Sequence, residues 1–579
     1  MSAHEMSDLQ RRPAASSIFP QTHSVDKDSV IERDNAILAR LGKKPVLKRE
    51  FGFMSALGFT CTNMITWEGL LVVLHLSYVN GGSAGSLYAF LFVLTGNLAI
   101  FTTMAEMASM APTSGGQYHV KNLFTCSFPE PLLLANGSRH CHSSSSQTRQ
   151  RKEKVLTLLK WVAMLAPPGC QKFLSFLTGW ITVIGWQANV ASGGLISAQT
   201  IQELAKLLHP NYNPKHWHMV IIFDCVILLA VFLNTVVIRA LPKIESIVLL
   251  LHILGFFAIL IPLTYMGPHG NALDVFTKFN NAGGFPTQGL AQMIGSYSFT
   301  WTLLGSDSAI HMSEEIKNAS VVVPRAMLFG ILLNGIMGLA MIIAVLFCMG
   351  DPSVMASGSP YVAVFLQAVE NVSQAAIMSD LVTIMIIFAT VAYLATASRL
   401  TWSFARDRGL PGWRQISRVC EPTLTPVISI VCTCCISCLL ALLIFYSKYA
   451  LNIVLSATIC CIYTSYVIGH CFLFYRRVTG AIRPYNSQSQ ALTNVPNTDN
   501  RTWGPFKVRE PFGSIINLIG IGFAVVILFF SFWPPMWQPP LKYMNFSIFL
   551  MAASVGSACL YYFLLGGKNN YTGPIVEVN

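Results

Sequence analysis

Charged residues are scarce in this sequence: they make up 11% of its 579 residues, whereas soluble proteins carry about 25%. Hydrophobic residues make up 53%, and the mean hydropathy is +0.53. Apolar runs of roughly 20 residues, long enough to cross a bilayer, recur from Phe51 to Leu565. The scarcity of charge excludes a soluble globular protein, and the apolar runs predict an all-α polytopic membrane protein.

The formal net charge is +12, but the Lys and Arg residues lie between the apolar runs rather than on one soluble face. This distribution argues against nucleic acid as a partner. Most of the fifteen cysteines lie inside apolar runs and the predicted outer loops contain none, so no disulfide framework is expected. Cys432, Cys435 and Cys438 share one helix face, which small packing residues explain better than a metal site does. We expect neither a metal nor a cofactor.

The hydropathy pattern predicts twelve transmembrane helices between two polar tails. We expect residues 1–48 to form a disordered cytoplasmic tail, residues 49–565 to form the twelve-helix domain, and residues 566–579 to form a cytoplasmic C-terminal tail. The predicted spans lie near Phe51–Leu76, Ser83–Met107, Lys172–Gln202, Trp217–Ile238, Ile244–Met266, Gly289–Met312, Ala326–Met349, Gln374–Phe404, Pro426–Tyr446, Leu451–Tyr475, Ile515–Trp533 and Tyr543–Leu564.

Basic residues set the predicted orientation, because they are enriched in cytoplasmic connections. The connections on one side are rich in Arg and Lys, as at Arg239, Lys243, Arg476 and Arg477, whereas those on the other side hold few. An even number of spans then places both termini in the cytoplasm. Asn371 begins a sequon on the predicted outer side and is the expected glycosylation site.

The sixth predicted span is interrupted by small and polar residues at Leu304–Ser308, which include Gly305 and Asp307. A carboxylate at membrane depth costs at least a few kcal/mol unless it faces a cavity or a partner. Unwound backbone at that depth is tolerated only where protein or water satisfies its polar groups. The interruption therefore indicates a functional site, with a kinked helix that packs through small residues as the alternative.

The first predicted span is also unusual, since it holds Gly58, Thr60, Thr62 and Asn63 at mid-depth and the acid Glu68 further on. Small and hydroxyl-bearing residues weaken a helix, and Asn and Thr can bond the backbone groups that an opened turn releases. Two interrupted helices, five spans apart, are typical of an inverted-repeat transporter with its site near the bilayer midplane.

Several longer motifs make a resemblance to a known family specific. They are Ala105–Ser109, Pro112–Tyr118, Trp161–Pro168, Gly305–Glu315, Asn318–Pro324 and Trp402–Pro411. On these motifs the chain resembles the amino acid–polyamine–organocation superfamily, within its fungal amino acid/choline permease group. The resemblance runs from the first span to the last and implies a LeuT-type five-plus-five inverted repeat followed by two further helices. It also implies uptake of a small nitrogenous metabolite.

In the first span, Gly58, Thr60, Cys61, Thr62 and Asn63 are expected to present backbone groups to the substrate where the helix opens. The N-terminal ends of half-helices attract a carboxylate and their C-terminal ends attract a cation. The alternative is a Gly/Thr face that packs against another helix.

In the sixth span, Gly305 and Ser306 are expected to form the break. Trp301 lies one turn earlier, where an aromatic residue covers the substrate in the transporters that this chain resembles, and its ring would suit a quaternary ammonium. Packing in the core or against lipid is the alternative for Trp301. Asp307 is expected to counter a substrate ammonium or to accept a coupling proton, and otherwise to cap the resumed helix.

Further acids are expected to take part in coupling and gating. Glu68 lies on the outward half of the first span, where it could attract a cation or take a proton. Glu314 and Glu315 fall at the cytoplasmic end of the sixth span and indicate a gate or a salt-bridge network. Arg399 and Arg406 could close that gate through ion pairs, or could serve only to fix the topology.

One segment departs from the family pattern. Val120–Lys160 separates Tyr118 from Trp161, which the family joins almost directly, and its 41 residues include seven Lys or Arg and two acids. It is either a lineage-specific cytoplasmic loop, since long surface insertions cost little entropy, or an intron retained and translated in frame. The clean rejoining of the motif favours the intron, and the polar composition predicts disorder.

Together these features predict a secondary active transporter of the plasma membrane, acting as a monomer in contact with membrane lipid. It would import an amino acid, choline or a related small amine, driven by protons. The proton rests on the intramembrane acids and on the resemblance. The alternative is a nutrient sensor that keeps the fold without transport. An enzyme is not expected, because the sequence shows no convergent His or Cys/Asp clusters at one membrane interface.

Overall fold

The computed structural model describes residues 49–113, 161–167, 169–356, 360–421, 424–445, 450–485, 501–540 and 544–571, with positions 32, 34–38, 47 and 494. Within these residues the regular structure consists of helices, as lipid requires of a backbone that must satisfy its own N–H and C=O groups. The α-helices of this part of the chain are α1 Phe53–Met64, α2 Thr66–Met110, α3 Trp161–Leu165, α4 Gln171–Leu208, α5 His216–Thr235, α6 Leu241–Met266, α7 Ala272–Thr277, α8 Gln288–Gly295, α9 Tyr297–Thr302, α10 Ser308–His311, α11 Ala319–Cys348, α12 Pro360–Val369, α13 Val372–Arg406, α14 Trp413–Ile416, α15 Val427–Ala441, α16 Ala450–Val478, α17 Phe512–Phe530, α18 Ser547–Phe563 and α19 Gly567–Asn570.

Eight segments of the described chain are long and apolar enough to cross a membrane. They are Phe53–Met110, His216–Thr235, Ile238–Met266, Ala319–Cys348, Val372–Arg406, Val427–Phe445, Leu451–Val478 and Phe512–Phe530. The prediction of an all-α, multi-pass membrane protein is confirmed by these helices.

Helix α2 consists of two halves that meet at Gly82. Its 45 residues would extend about 67 Å as one straight helix, roughly twice the thickness of the hydrocarbon core. Gly82 leaves the helical conformation, with φ 67° and ψ −165°. The hydroxyl of Ser83 and the amide of Ala84 donate to the carbonyl oxygens of Asp274 and Lys278, at 2.9 and 3.0 Å. Helix α7 and Lys278, which follows it, thus hold the bend of α2.

The interior is formed where the longest helices pack side by side. Helix α11 lies along α2, α4 lies between α13 and α16, and α1 packs against α6. The largest apolar side chains that are fully buried include Trp67, Trp161, Trp186, Trp301 and Trp402. Around this interior, the helices α5, α6, α15, α17 and α18 turn exposed side chains outward, such as Leu228, Ile261, Leu439, Leu518 and Phe549. A surface this apolar is suited to lipid.

Parts of both predicted tails pack against the helical body. Asp34 is buried, where its carboxylate pairs with Arg49 at 3.0 Å and accepts the backbone N–H of Asn318 at 2.7 Å. Tyr571 is also buried, with its hydroxyl 2.8 Å from that of Ser175. Asp34 and Tyr571 thus contact the helical body, while the disordered tail at 1–48 and the cytoplasmic tail at 566–579 stay predictions. The Val120–Lys160 segment lies outside the described residues, and both possibilities, a loop or a retained intron, stay open.

Candidate functional site

The first interruption falls at Ile65, between α1 and α2. Ile65 has φ 44° and ψ 47°, a left-handed conformation that is costly for a β-branched residue and needs support from its surroundings. Ile65 is buried, and the backbone N–H of Thr66 donates to Oδ1 of Asn334 on α11 at 3.4 Å. A side chain that lies 268 residues away in the sequence therefore accepts the N–H group that the break releases.

The expected opening over Gly58–Asn63 is corrected, because those residues lie inside α1. The side chains of Thr60, Thr62 and Asn63 donate to the carbonyl oxygens four residues earlier, at 2.8, 2.9 and 2.8 Å. These bonds are made within the intact helix and replace none of its backbone bonds. Asn63, the last of the polar residues on which the prediction rested, lies two residues before the break at Ile65.

Two small-residue contacts explain the composition of α1. A Cβ atom on Gly58 would collide with the carbonyl oxygen of Glu245 on α6, so glycine permits this close approach. Thr60 faces Gly330 of α11, where an added Cβ would meet its methyl group at 2.6 Å. Cys61 is fully buried. Gly58, Thr60 and Cys61 are therefore closely packed in this conformation, and their contact with substrate stays a prediction.

The second interruption lies between α9 and α10, as the sequence predicts. Gly305 has φ 112°, which favours glycine, and the helix resumes at Ser308. The hydroxyl of Ser306 donates to the carbonyl of Met327 at 3.0 Å. The carbonyl of Thr302, at the end of α9, accepts the hydroxyl of Thr66 at 2.9 Å. A side chain from α2 and the backbone of α11 thus satisfy groups at this break.

The two interruptions are in direct contact. The carbonyl oxygen of Asn63, near the end of α1, lies 2.5 Å from the position that a Cβ atom would take on Gly305. The side-chain oxygen of Asn63 accepts the hydroxyl of Thr396 on α13 at 3.2 Å. Three helices therefore converge where both chain segments leave the helical conformation.

Asp307 is the acid at this convergence. It is 0% exposed, and neither carboxylate oxygen accepts a hydrogen bond of normal geometry from the described residues. His311 Nε2 lies 3.6 Å from Asp307 Oδ2, and the hydroxyl of Tyr466 on α16 lies beside the same carboxylate. A buried acid with unfilled acceptor positions is costly, so it points to a function rather than to packing.

Aromatic rings connect Trp301 with the surroundings of Asp307. The indole N–H of Trp301 donates to Oδ1 of Asn189 on α4 at 3.1 Å. The ring of Trp301 meets Tyr393 edge to face at 6.5 Å, Tyr393 meets Trp186 at 6.5 Å, and Trp186 meets His311 at 5.7 Å. Residues of α4, α9, α10 and α13 thereby form one aromatic wall beside the acid.

Glu68 lies in the first turn of α2, three residues after the break at Ile65. It is 0% exposed, and its Oε1 lies 2.6 Å from Nδ1 of His252 on α6. The pair therefore connects the helix that follows the first break with a different helix.

Two ion pairs lie past the end of α10. Arg406 contacts Glu314 with both terminal guanidinium nitrogens, at 3.2 and 3.5 Å, and stacks over Trp402 at 4.4 Å. Arg399, which is 0% exposed, donates from Nε to Glu315 at 3.1 Å. Both arginines belong to the last two turns of α13, so these pairs join α13 to the segment that follows the second break.

Sequence reasoning missed several side chains of this region. Each is a polar or aromatic residue inside an apolar span. An ionisable or amide group at membrane depth is the sequence feature that could have identified some of them as site residues. They are Trp186, Asn189, His252, Asn334, Tyr393 and Tyr466.

Comparisons with known proteins show which family the chain is similar to. Residues 158–554 match the amino acid permease family. A protein of Macrophomina phaseolina that carries the name amino acid/polyamine transporter is 26% identical over 85% of this chain and 97% of its own length. The choline transporter of Saccharomyces cerevisiae is 26% identical over 90% of this chain and 82% of its own. The swainsonine transporter of Arthroderma benhamiae is 28% identical over 78% of this chain and 82% of its own. The chain therefore belongs to the amino acid permease family, within the amino acid–polyamine–organocation superfamily, and is a membrane transporter of that superfamily.

Proposed function

We propose that the chain is a secondary active transporter that imports an amino acid, choline or a related small amine together with protons. The observation that carries this proposal is the buried Asp307, whose carboxylate has unfilled acceptor positions where the two broken helices meet. A cation brought there gains a strong attraction, because little water screens the charges. The names of the relatives support a small nitrogenous substrate.

The aromatic wall supports an ammonium or quaternary ammonium group at this position. Trp301, Trp186 and Tyr393 offer ring surfaces, and a cation over such a ring gains about 0.5–2 kcal/mol. Because Asn189 holds the indole N–H, the ring of Trp301 is fixed in orientation. We propose that the ring of Trp301 covers the bound substrate and that the Asp307 carboxylate balances the positive charge of the substrate.

An amino acid substrate would also need a partner for its carboxylate. The N-terminus of α2 points into the first break, and helix N-termini attract negative charge. Gly69 in the first turn of α2 lies against Trp301, where an added Cβ would meet the ring at 3.2 Å. This close approach would bring the carboxylate and ammonium positions together.

The ion pairs of Glu314 with Arg406 and of Glu315 with Arg399 would form the inner gate. These pairs would hold the segment after α10 against α13 in the closed state, and removing one partner of such a buried pair costs about 3–5 kcal/mol. The backbone amides of Glu50 and Phe51 also donate to the carbonyl of Glu315, at 3.0 and 3.1 Å. Release of substrate to the cytoplasm would require these contacts to separate.

We further propose twelve membrane crossings in a five-plus-five inverted repeat, followed by two helices. The bend of α2 at Gly82, and the positions of the breaks at Ile65 and Gly305 five spans apart, support this arrangement. The distribution of Lys and Arg supports cytoplasmic termini, and we place the protein as a monomer in the plasma membrane.

Asn371 is exposed, and its Oδ1 caps α13 by accepting the amide of Ser373 at 2.9 Å, which leaves Nδ2 for a glycan. We propose Asn371 as the glycosylation site. Loss of a glycosidase-sensitive mass shift in the Asn371→Gln variant is the expected result.

Uptake by whole cells tests the function. The chain is expressed in a fungal strain that lacks its own permeases, and labelled amino acids, γ-aminobutyrate, choline and polyamines are supplied. We expect accumulation of at least one of these classes, faster at acidic outside pH. Normal surface expression without uptake of any class would contradict the proposal and favour the sensor.

A further inference from the structure

The pair formed by Glu68 and His252 is a deeply buried acid–base contact outside the inner gate. The two side chains are 0% and 1% exposed, and the atoms in contact lie 2.6 Å apart. Their outer atoms, Glu68 Oε2 and His252 Nε2, are also buried and have no hydrogen-bond partner among the described residues. The pair thus holds one strong contact and two unfilled polar positions.

We propose that Glu68 and His252 together form the proton-binding site of the transporter, separate from the substrate acid Asp307. The proposal rests on the proposed proton-coupled function and assigns different roles to two of the buried acids, Glu68 and Asp307. Asp307 lies 3.6 Å from its histidine neighbour, His311, and would take the substrate cation. Glu68 already has a basic partner in close contact and would take the proton.

The charge of the pair explains why a proton would travel with it. A carboxylic acid with a neutral imidazole and a carboxylate with an imidazolium have the same number of protons and no net charge. Removing one proton leaves a carboxylate beside a neutral ring, which is a single uncompensated charge in a region that excludes water. The occluded protein therefore favours the loaded pair, and the proton leaves when water reaches it.

The surroundings of the pair are almost entirely apolar. Trp67 lies 5.8 Å from the His252 ring and packs on Phe256. Besides His252, the Cys61 thiol of α1 and the Tyr393 hydroxyl of α13 interact electrostatically with Glu68, and both are neutral when protonated. Among the described residues, no charged group other than His252 contacts Glu68 in a salt bridge.

The pair of Glu68 and His252 lies close to the first break, at Ile65. Glu68 follows the break at Ile65, whereas His252 belongs to α6, whose residue Glu245 packs on Gly58 before the break. The Tyr393 hydroxyl interacts electrostatically with Glu68, and the Tyr393 ring meets that of Trp301 at 6.5 Å, so one side chain is shared by the surroundings of the proton site and of the substrate cover. Proton loading would therefore change how tightly α2 and α6 are held beside the substrate.

The transfer itself is simple. A proton from the outer solution forms an O–H bond on Glu68 or an N–H bond on His252, and no other covalent bond changes. The substrate cation binds beside Asp307. After the inner gate opens, the same proton passes to water on the cytoplasmic side.

Purified protein in vesicles tests the assignment. With the membrane potential clamped at zero, an inward gradient of one pH unit supports about tenfold accumulation when one proton accompanies one substrate. The probes are labelled choline, γ-aminobutyrate, putrescine and a labelled amino acid mixture. For Glu68→Gln and His252→Gln we expect this accumulation to fall to the level seen without a gradient. Exchange of labelled for unlabelled substrate should persist.

A matched control separates coupling from packing. His470→Gln removes a buried histidine of α16 whose ring nitrogens contact the carbonyls of Tyr466 and Ile100 at 2.7 and 3.1 Å. We expect this control to keep gradient-driven accumulation in whatever fraction folds. Gradient-driven accumulation in Glu68→Gln equal to that of the parent protein would overturn the proposal.

Difference infrared spectroscopy in detergent gives a readout that needs no substrate. Acidification should add either a carboxyl C=O band that is lost in Glu68→Gln, if Glu68 takes the proton, or an imidazolium band that is lost in His252→Gln, if His252 takes it. Identical difference spectra in all three proteins would refute the proton site, even if no probe is transported. If the parent protein carries no probe while the band behaves as expected, the proposed function fails and the proton site stands.

Discussion

The carbonyl oxygen of Asn63 lies 2.5 Å from the place where a side chain on Gly305 would begin. The last turn of α1 is therefore in direct contact with the break that follows α9. Because both segments are also fixed by distant side chains, a movement of either one must displace the other. We regard this contact as the centre of the candidate site.

Replacing Gly305 with alanine should prevent folding or abolish uptake. The left-handed φ of 112° costs an alanine about 1–3 kcal/mol, and the added methyl would also overlap the Asn63 carbonyl. Gly284→Ala is the matched control, since Gly284 also has a positive φ of 70° and an added Cβ there meets no atom within 4 Å. Thermal melting in detergent and uptake should separate the two, and equal effects would show that the Asn63 contact is unimportant.

Trp301→Ala should raise the apparent KM for an amine substrate. Loss of about 0.5–2 kcal/mol of cation–π attraction corresponds to a rise of about two- to thirtyfold. Trp301→Phe keeps a ring and should be milder. Asn189→Ala removes the acceptor of the indole N–H, so it should resemble the Phe variant. A normal KM in the Ala variant would exclude Trp301 from substrate binding.

Neutralising the inner gate should weaken both stability and accumulation. Glu314→Gln or Arg406→Gln leaves the other charge buried, a loss of about 3–5 kcal/mol. The double variant should lose less than the sum of the single variants, which a double-mutant cycle measures. The exposed pair of Asp274 and Lys278, at 2.7 Å, serves as the control and should contribute about 0.5 kcal/mol or less. Additive effects at Glu314 and Arg406 would show that the two charges are not coupled.

Removing Val120–Lys160 should preserve or improve expression and uptake. The segment is polar and basic, and the family match begins at residue 158, close to its end. Sequencing the mature transcript distinguishes a loop from a retained intron directly. A transcript that retains these codons throughout, or a deletion that abolishes uptake, would establish a true loop.

Features that depend on local composition could be predicted from the sequence. Hydropathy locates the apolar helices. Gly305 and Asp307, two residues apart, mark the second break, because an acid inside an apolar run is costly unless it serves a site. Glu314 and Glu315 are expected in a salt-bridge network, and the structure places each beside an arginine of α13.

Features that depend on contacts between distant segments were not predictable in this way. Ile65 carries no local signal for a left-handed conformation, and its support comes from Asn334 on another helix. Likewise, Glu68 and His252 lie 184 residues apart, so only the packing of α2 on α6 reveals the pair. The polar residues of α1 led to a wrong prediction of the position of the first break, because Thr and Asn side chains bond the backbone of an intact helix as readily as that of an opened one.

The central claim is that Asp307 holds the substrate at the meeting point of the two breaks, and uptake by Asp307→Asn tests it most directly. Asp274→Asn, an exposed acid, is the control, and surface biotinylation measures the amount of each variant at the membrane. We expect normal surface expression of Asp307→Asn with uptake reduced about tenfold or more, since losing one partner of a buried charge pair costs about 2–5 kcal/mol. Uptake equal to that of the parent protein at the same surface expression would contradict the account.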